Sequence, residues 1–228
     1  MNGIKTMRNV NIVIRILLLY LMVVNISESL FSPLYSVFVT RTIEGATLAT
    51  VGFAIAVFAI SKSLVQLPLA RLLDSRKGER DEFNVMVLGA VLSMAYPLSF
   101  LLAQAPWHLM LIAALGGAST ACIMAAYYSL FSHHVDRDLQ GFEWSLFSVG
   151  SLSVGAALGG VIGGLAADAY GFPALFMAAA VLSAVALAVL MLLGRHIINS
   201  PLPRRHWFFL KPKPLVIHPD LAKRPPTS

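Results

Sequence analysis

The chain has 228 residues, of which 57% are hydrophobic and 12% charged, with a mean hydropathy of +0.76 and a formal net charge of +6. Soluble domains carry about 25% charged residues, so this composition excludes an ordinary soluble domain and favours a protein built for a lipid bilayer. The basic residues fall between apolar segments instead of forming one patch. They therefore indicate membrane topology, and we expect no nucleic-acid partner.

The N-terminal residues 1–11 are basic and precede an apolar run, as they would in a secretory signal. However, the apolar run extends from about residue 12 to residue 39, which is far longer than a signal core. No small-x-small cleavage site follows it. We therefore predict a retained first transmembrane helix preceded by a short cytosolic segment.

Six apolar spans follow one another along the chain, at about 12–39, 48–73, 84–103, 108–131, 144–167 and 174–194. Each is long enough to cross about 30 Å of hydrocarbon at about 1.5 Å per residue. None alternates between polar and apolar residues as the strand of a membrane barrel would. The sequence therefore predicts an all-α membrane protein with six transmembrane helices.

The lysines and arginines set the expected orientation. With the N-terminus in the cytosol, fifteen of the seventeen lie on the cytosolic side, leaving Arg41 outside and Lys62 within the membrane. This bias predicts that both termini are cytosolic in an inner or plasma membrane. Residues 195–228 form a basic, proline-rich tail, which we expect to be disordered, cytosolic and attracted to anionic lipid.

The first span carries a polar stripe, because five residues recur at spacings that share one helical face: Asn25, Glu28, Ser29, Ser32 and Ser36. Such a stripe should face protein or water instead of lipid. Asn25, Glu28, Ser29 and Ser32, with Lys62 of the second span, are therefore the candidate residues of a substrate or ion pathway.

Glu28 and Lys62 are predicted at similar depth on consecutive helices. A lone charge at the bilayer centre costs roughly 2.5–3.5 kcal/mol on insertion scales, so pairing is favoured. Three alternatives remain open: a static ion pair that holds the first two spans together, a substrate or proton site, or separate contacts in which one side chain reaches water.

The other polar residues give weaker evidence for a functional site. His133 and His134 are adjacent and point to different faces of a helix, so a solvated helix end is favoured over a metal site. The single Cys122 lies inside an apolar span, which leaves no disulfide framework. We expect no catalytic residue, no metal site and no cofactor, and hence no enzyme.

The segment Leu67–Glu82, LPLARLLDSRKGERDE, joins the second and third spans with a dense cluster of charges. Its residues Asp74, Arg76, Lys77, Gly78 and Arg80 give a pattern that resembles the signature loop of the major facilitator superfamily, small-x-L-x-D-R-x-G-R-R. Three positions depart from that pattern: Ala70 replaces the first glycine, Ser75 adds a residue, and Glu79 stands where a basic residue is usual.

The fifth span is rich in glycine, at Gly155, Gly159, Gly160, Gly163 and Gly164. The run resembles the superfamily's fifth-helix motif, G-x-x-x-G-P-x-x-G-G, with Gly160 in place of the proline. Glycines four residues apart form a groove that lets another helix approach closely. The groove serves either packing within the six-helix unit or an interface with a second unit.

The resemblance implies one half of a transporter, since the superfamily's transporters have two six-helix halves with the substrate cavity between them. The second span ends as Leu-Ala-Arg-Leu-Leu-Asp74 and the fifth as Gly-Gly-Leu-Ala-Ala-Asp168, at opposite membrane faces, as two inverted three-helix repeats would. The fourth span departs from the family, because Ala113 stands where the arginine of R-x-x-x-G is expected.

We therefore predict membrane transport of a small solute by a half-transporter. Its second half would be another copy of the chain, giving a homodimer, or a separately encoded chain. The alternative is a protein that does not transport: a truncated remnant or a membrane-embedded interaction subunit.

Overall fold

The computed structural model describes residues 10–75, 78–136 and 138–199, with side chains up to Arg195. Within these ranges the chain forms helices and no strand, which confirms the all-α prediction. Most of the predicted N-terminal segment and of the basic tail lies outside the described residues.

The described residues form seven α-helices, with shorter helical segments between some of them. The first three are α1 (Ile12–Phe31), α2 (Tyr35–Thr42) and α3 (Leu48–Ser75), with a 3₁₀ turn, Ser32–Leu34, between α1 and α2. The next two are α4 (Glu79–Ser99), extended by a 3₁₀ turn at Phe100–Leu102, and α5 (Pro106–His134). The last are α6 (Gln140–Ser145), a π-helical segment at Leu146–Val154, and α7 (Gly155–Asn199).

Local chemistry explains several helix ends. The Asn11 side chain accepts a hydrogen bond from the Val13 amide at 3.0 Å and so caps the start of α1. Pro33 has no backbone N–H and lies in the 3₁₀ turn where α1 ends. Gly45, with φ of 73°, makes the turn between α2 and α3, and Pro106 begins α5.

In the part of the chain that the structure describes, five segments are long and apolar enough to cross a membrane: Ile12–Thr42, Leu48–Ser75, Glu79–Leu102, Pro106–His134 and Gln140–Arg195. The first four predicted spans each coincide with one segment, whereas the fifth and sixth share the last, which has 56 residues. Within it, Gly171 adopts φ 76° and ψ 176°, which is not helical. This break lies where the sequence predicts a loop between the fifth and sixth spans.

The helices pack in a definite order. Helix α1 lies along α7, and α5 lies between α3 and α4, while α4 also contacts α7. One core, near the start of α1, includes Tyr20, Met86, Tyr127, Phe131 and Leu190. A second, near its end, is aromatic and includes Phe31, Phe38, Phe100 and Phe176. Of the most apolar stretch of 18 residues in α3, only 11% is buried, against 67% of the corresponding stretch in α5. Helix α3 therefore presents most of its surface outward.

Candidate solute site within the membrane

Glu28 lies on α1 within electrostatic range of groups on two other helices, α3 and α4. The charge of Lys62 on α3 is close enough to act on Glu28. Glu28 in turn acts on Tyr20, two turns earlier on α1, and on Tyr96 of α4. The carboxylate is therefore within electrostatic range of one cation and two phenols, which belong to α1, α3 and α4.

The two opposite charges are neighbours without touching. Among the described residues, no ion pair shorter than 4.0 Å joins Glu28 to Lys62. Neither side chain makes a hydrogen bond to another residue within the described ranges. A direct ion pair is therefore not the arrangement seen here, and both groups retain hydrogen-bonding capacity for a solute, water or a proton.

The predicted polar stripe divides in the structure. Asn25 donates a hydrogen bond from Nδ2 to the Leu21 carbonyl at 3.0 Å, and it packs on Gly155 of α7. Ser29 packs on Gly159 in the same way, since a Cβ on that glycine would lie 2.6 Å from the Ser29 Cβ. These two side chains thus contribute to the contact between α1 and α7, while Glu28 lies near α3.

The remaining members of the stripe lie beyond Glu28 along the chain. Ser32 is exposed in the 3₁₀ turn, and the Ser36 carbonyl accepts a hydrogen bond from the Thr40 hydroxyl at 2.8 Å. Two tyrosines that sequence reasoning missed lie between this region and the aromatic core. Tyr35 contacts the Phe100 ring edge-on with centroids 5.7 Å apart, and Tyr96 contacts Phe31 at the same separation. Single tyrosines in apolar spans form no pattern that would have identified them.

The glycine groove of α7 is filled by α1. A Cβ on Gly155 would lie 3.2 Å from the Met22 carbonyl oxygen, and one on Gly163 would collide with the Leu30 carbonyl. By contrast, a Cβ added to Gly160 or Gly164 would have nothing within 4 Å. Of the two roles considered for the groove, the structure therefore shows packing within the unit, on the face of α7 that contains Gly155, Gly159 and Gly163.

The signature loop lies at the other end of α3. Arg76 and Lys77 fall outside the described residues, while Gly78 is extended, with φ of −160°, and precedes α4 as its N-cap. Arg80 is exposed. Asp74 lines a cavity of about 280 Å³ between α3 and α5, together with Gln66, Ser129, Ser132 and His133.

The histidines at the end of α5 are not both solvated, so that interpretation was wrong for His134. Its side chain is 5% exposed, and its Nε2 lies 3.7 Å from Glu79 Oε1, whereas the His133 side chain is 40% exposed. The glutamates Glu79 and Glu82 are one turn apart at the start of α4. Only the packing of α4 on α5 brings them to the histidines, so the sequence pattern could not reveal the pairing.

The comparisons with known proteins agree with this architecture. The family described as the Major Facilitator Superfamily matches residues 17–226 of the chain. Multidrug resistance protein MdtG of Dickeya zeae (strain Ech586) is 26% identical over 162 residues, which are 70% of this chain and 38% of that protein. Multidrug resistance protein MdtG of Enterobacter lignolyticus (strain SCF1) is 34% identical over 122 residues, which are 53% of this chain and 28% of that protein.

The match and the fold give one conclusion. The matched region overlaps every long apolar segment described above, and the chain spans well under two thirds of the length of the curated relatives. The chain is an integral membrane protein and belongs to the Major Facilitator Superfamily.

Proposed function

We propose that this chain forms one half of a transporter that moves a small solute past Glu28 and Lys62. The observation that carries the proposal is a pair of opposite charges on two membrane helices, within electrostatic range of each other and neither engaged in an ion pair or hydrogen bond among the described residues. Charged groups in membrane spans are costly and usually mark substrate or ion pathways. A solute that contacts one or both groups explains why they are present without being joined.

The solute we propose is a drug-like organic molecule. Support comes from the names of the relatives, which are multidrug resistance proteins. It also comes from the surroundings of Glu28, where Tyr96 and the aromatic core supply apolar surface beside a charge. Apolar walls with a few polar groups are the usual composition of small-molecule sites.

A second six-helix unit would complete the site. The matches cover 38% and 28% of the relatives, so most of each relative lies beyond the aligned part. Lys62 is partly exposed on α3, and a charge that faces lipid is unfavourable. We propose that a second copy of the chain or a separately encoded half covers this side around a water-filled cavity, related by a twofold axis along the membrane normal.

The proposed unit crosses the membrane six times, from about residue 12 to residue 194, with both termini and the basic tail in the cytosol. The break at Gly171 and the distribution of lysine and arginine support this topology. Contacts between helices support the inverted repeats: the first span packs on the fifth and the second on the fourth, which is the exchange that such a repeat requires. Reporter fusions after Glu44, Pro106 and Tyr170 should read outside and a tail fusion inside, and an external tail would refute this topology.

Transport is tested with proteoliposomes that contain the full chain and the fluorescent organic cation ethidium. The wild-type chain, alone or with its second half, should give protein-dependent ethidium movement. Glu28→Gln should lower the rate by about tenfold or more, because a charged contact with the solute is lost. Glu44→Gln, in the exposed turn after α2, is the matched control and should leave the rate unchanged.

The double-mutant cycle of Glu28→Gln and Lys62→Met separates the alternatives. In a transport site, each single variant should fold normally and lose transport. If the two charges mainly stabilise each other, each single variant should lower stability more than the double variant does. A stable wild-type protein without movement of ethidium or other organic dyes, alone or with any second half, would favour the non-transporting alternative.

A further inference from the structure

The first turn of α4 lies beside the last turn of α5, where two glutamates face two histidines. His133 Nδ1 is 3.8 Å from Glu82 Oε1, and His134 Nε2 is 3.7 Å from Glu79 Oε1. The Ser129 hydroxyl also donates a hydrogen bond to Glu82 Oε1. We call these five residues, Glu79, Glu82, Ser129, His133 and His134, the Glu–His clasp.

The hydrogen bond of His134 determines where its protons must be. Nδ1 lies 2.9 Å from the Leu130 carbonyl oxygen, and because a carbonyl only accepts, Nδ1 must carry a hydrogen. A neutral ring would then present an unprotonated Nε2 to Glu79, so that two acceptors would face each other. A second proton on the ring converts this repulsion into an ion pair. The buried Nε2 has no other hydrogen-bond partner among the described atoms.

Glu82 has a similar requirement for a nearby positive charge. Its side chain is 4% exposed, and its Oε2 has no hydrogen-bond partner in the described part of the chain. A buried carboxylate is unfavourable unless it is paired or protonated. His133 supplies the pairing charge when it is protonated, and its greater exposure lets it exchange that proton with water.

The other charged groups around the clasp include acidic residues of neighbouring elements. Asp74 of α3 lines the same cavity as His133, and Asp136 follows α5 two residues after His134. Glu143 of α6 is buried and accepts a hydrogen bond from the Asp136 amide at 3.0 Å. Helices α1 and α7 contribute the exposed Arg15 and Arg195 near their described ends.

We propose that the Glu–His clasp is a proton-binding site, in which protons held on the two histidines fasten the first turn of α4 to the last turn of α5. Release of those protons leaves Glu79 facing an acceptor and Glu82 without its counter-charge, which weakens the contact. The cavity between α3 and α5, whose wall includes Ser129 and His133, lies directly beside this contact. The site is separate from Glu28 and Lys62 and does not depend on the proposed transport.

The first measurement compares thermal unfolding of the full chain in nanodiscs at about pH 5.5 and about pH 8, on either side of the ordinary histidine titration near 6.5. The unfolding temperature should fall by about 2–4 °C at the higher pH, the shift that one weak pair gives in a domain of this size. His134→Asn retains a donor for the Leu130 carbonyl but cannot bind the second proton. It should lose the part of this pH dependence that comes from His134 and Glu79, and keep the part that comes from His133 and Glu82.

Glu79→Gln tests the same contact from the other side. Its amide can donate to the unprotonated Nε2, so this variant should keep its stability at about pH 8. His108→Asn is the control, because His108 lies at the opposite end of α5 and its Nδ1 accepts a hydrogen bond from the Ala105 amide at 3.1 Å. That contact requires a neutral ring, so removing it should not diminish the pH dependence of the clasp.

The second measurement is ¹⁵N NMR of histidine-labelled chain, which reports protonation directly and does not require every variant to fold. The His134 signal, identified by its loss in His134→Asn, should show both nitrogens protonated at about pH 5.5. A neutral His134 at about pH 5.5 would overturn the proposal, and so would an equal pH dependence of unfolding in wild type and His134→Asn.

Discussion

The contact between α1 and α7 differs from the contact between α3 and α5. Along α7, Gly155, Gly159 and Gly163 each face the backbone of α1 at successive turns, so the two helices stay close over a long distance. Between α3 and α5, one glycine, Gly117, meets the α3 backbone at Phe58, beside a hydrogen bond from the Ser61 hydroxyl to the Ala114 carbonyl at 2.8 Å. The close glycine approach is repeated at three turns between α1 and α7 and occurs once between α3 and α5, although α3 and α5 pack along much of their length.

The difference has a physical consequence in a membrane. Lipid chains are as apolar as leucine, so apolar helices associate through close packing and polar contacts instead of through the hydrophobic effect. Helix α1 packs closely on a backbone, and 44% of the most apolar stretch in its segment Ile12–Thr42 is buried. In α3 the buried share of the corresponding stretch is 11%. The unit therefore combines a firmly packed pair, α1 and α7, with a peripheral helix that carries Lys62 on a largely uncovered surface.

The largest expected effect comes from breaking the repeated contact. Gly163→Leu places a side chain against the Leu30 carbonyl, which cannot move without displacing α1. The free energy of unfolding should fall by at least the upper end of the about 1–3 kcal/mol typical of overpacking. The measurement is unfolding by a denaturing detergent in mixed micelles, followed by helix content.

Gly164→Leu is the matched control, one residue further along the same helix, with nothing near its added Cβ. It should leave the free energy of unfolding nearly unchanged. Equal losses in the two variants would show that glycine serves helix flexibility at this segment and not close packing. Both variants should keep the oligomeric state of the wild type, because the groove is filled within one chain.

The sequence predicted this contact only in part. Glycines at intervals of four indicate a groove, but both faces of α7 carry such a pair, Gly155–Gly159 and Gly160–Gly164. Which of the two faces contacts another helix depends on where α1 lies, and the position of α1 is set by the tertiary packing of the helices. The long apolar segments were predictable because about twenty apolar residues are needed to cross a bilayer, a requirement that acts on each segment separately.

The sequence also predicted the candidate site only in part. Depth along a helix follows from residue counting, and so the sequence could place Glu28 and Lys62 at similar depth. Whether the two side chains touch depends on the rotation of each helix and the spacing set by its neighbours. The pairing of His134 with Glu79 was missed for the same reason, since it requires the end of α5 to meet the start of α4.

A smaller effect is expected from breaking the close approach of Gly117 to the α3 backbone. Gly117→Ala places a methyl group against the Phe58 carbonyl, and α3 must shift outward to accommodate it. Since α3 packs mainly on α5 and presents most of its surface outward, it can shift at a cost of about 1–3 kcal/mol without unfolding the rest of the unit. The same unfolding measurement applies, and a cysteine pair across α3 and α5 would report the change in spacing.

Gly52→Ala serves as the control for this variant, because Gly52 lies on the same α3 helix with open space at its Cβ. A loss for Gly117→Ala as large as that for Gly163→Leu would contradict the division into a firm pair and a peripheral helix. It would instead show that the two contacts contribute equally to the free energy of unfolding.

The smallest expected effect concerns hydroxyl groups that join helices at each contact. Ser27 is 2% exposed, donates to the Ala179 carbonyl at 2.7 Å, and lies 2.9 Å from the Ser183 hydroxyl. Ser61 makes its single bond to Ala114 on a half-buried surface. Hydrogen bonds between membrane helices average about 0.6 kcal/mol, so each Ser→Ala change should cost about that much.

Ser27→Ala should cost the more of the two, because it also removes a partner from Ser183, whose hydroxyl lies 3.5 Å from that of Ser93 on α4. Unfolding in mixed micelles measures the loss of stability in each single variant. A double-mutant cycle of Ser27 and Ser183 measures their coupling, which should exceed the measurement error. A larger loss for Ser61→Ala than for Ser27→Ala would show that this bond holds α3 more firmly than the exposure of α3 indicates.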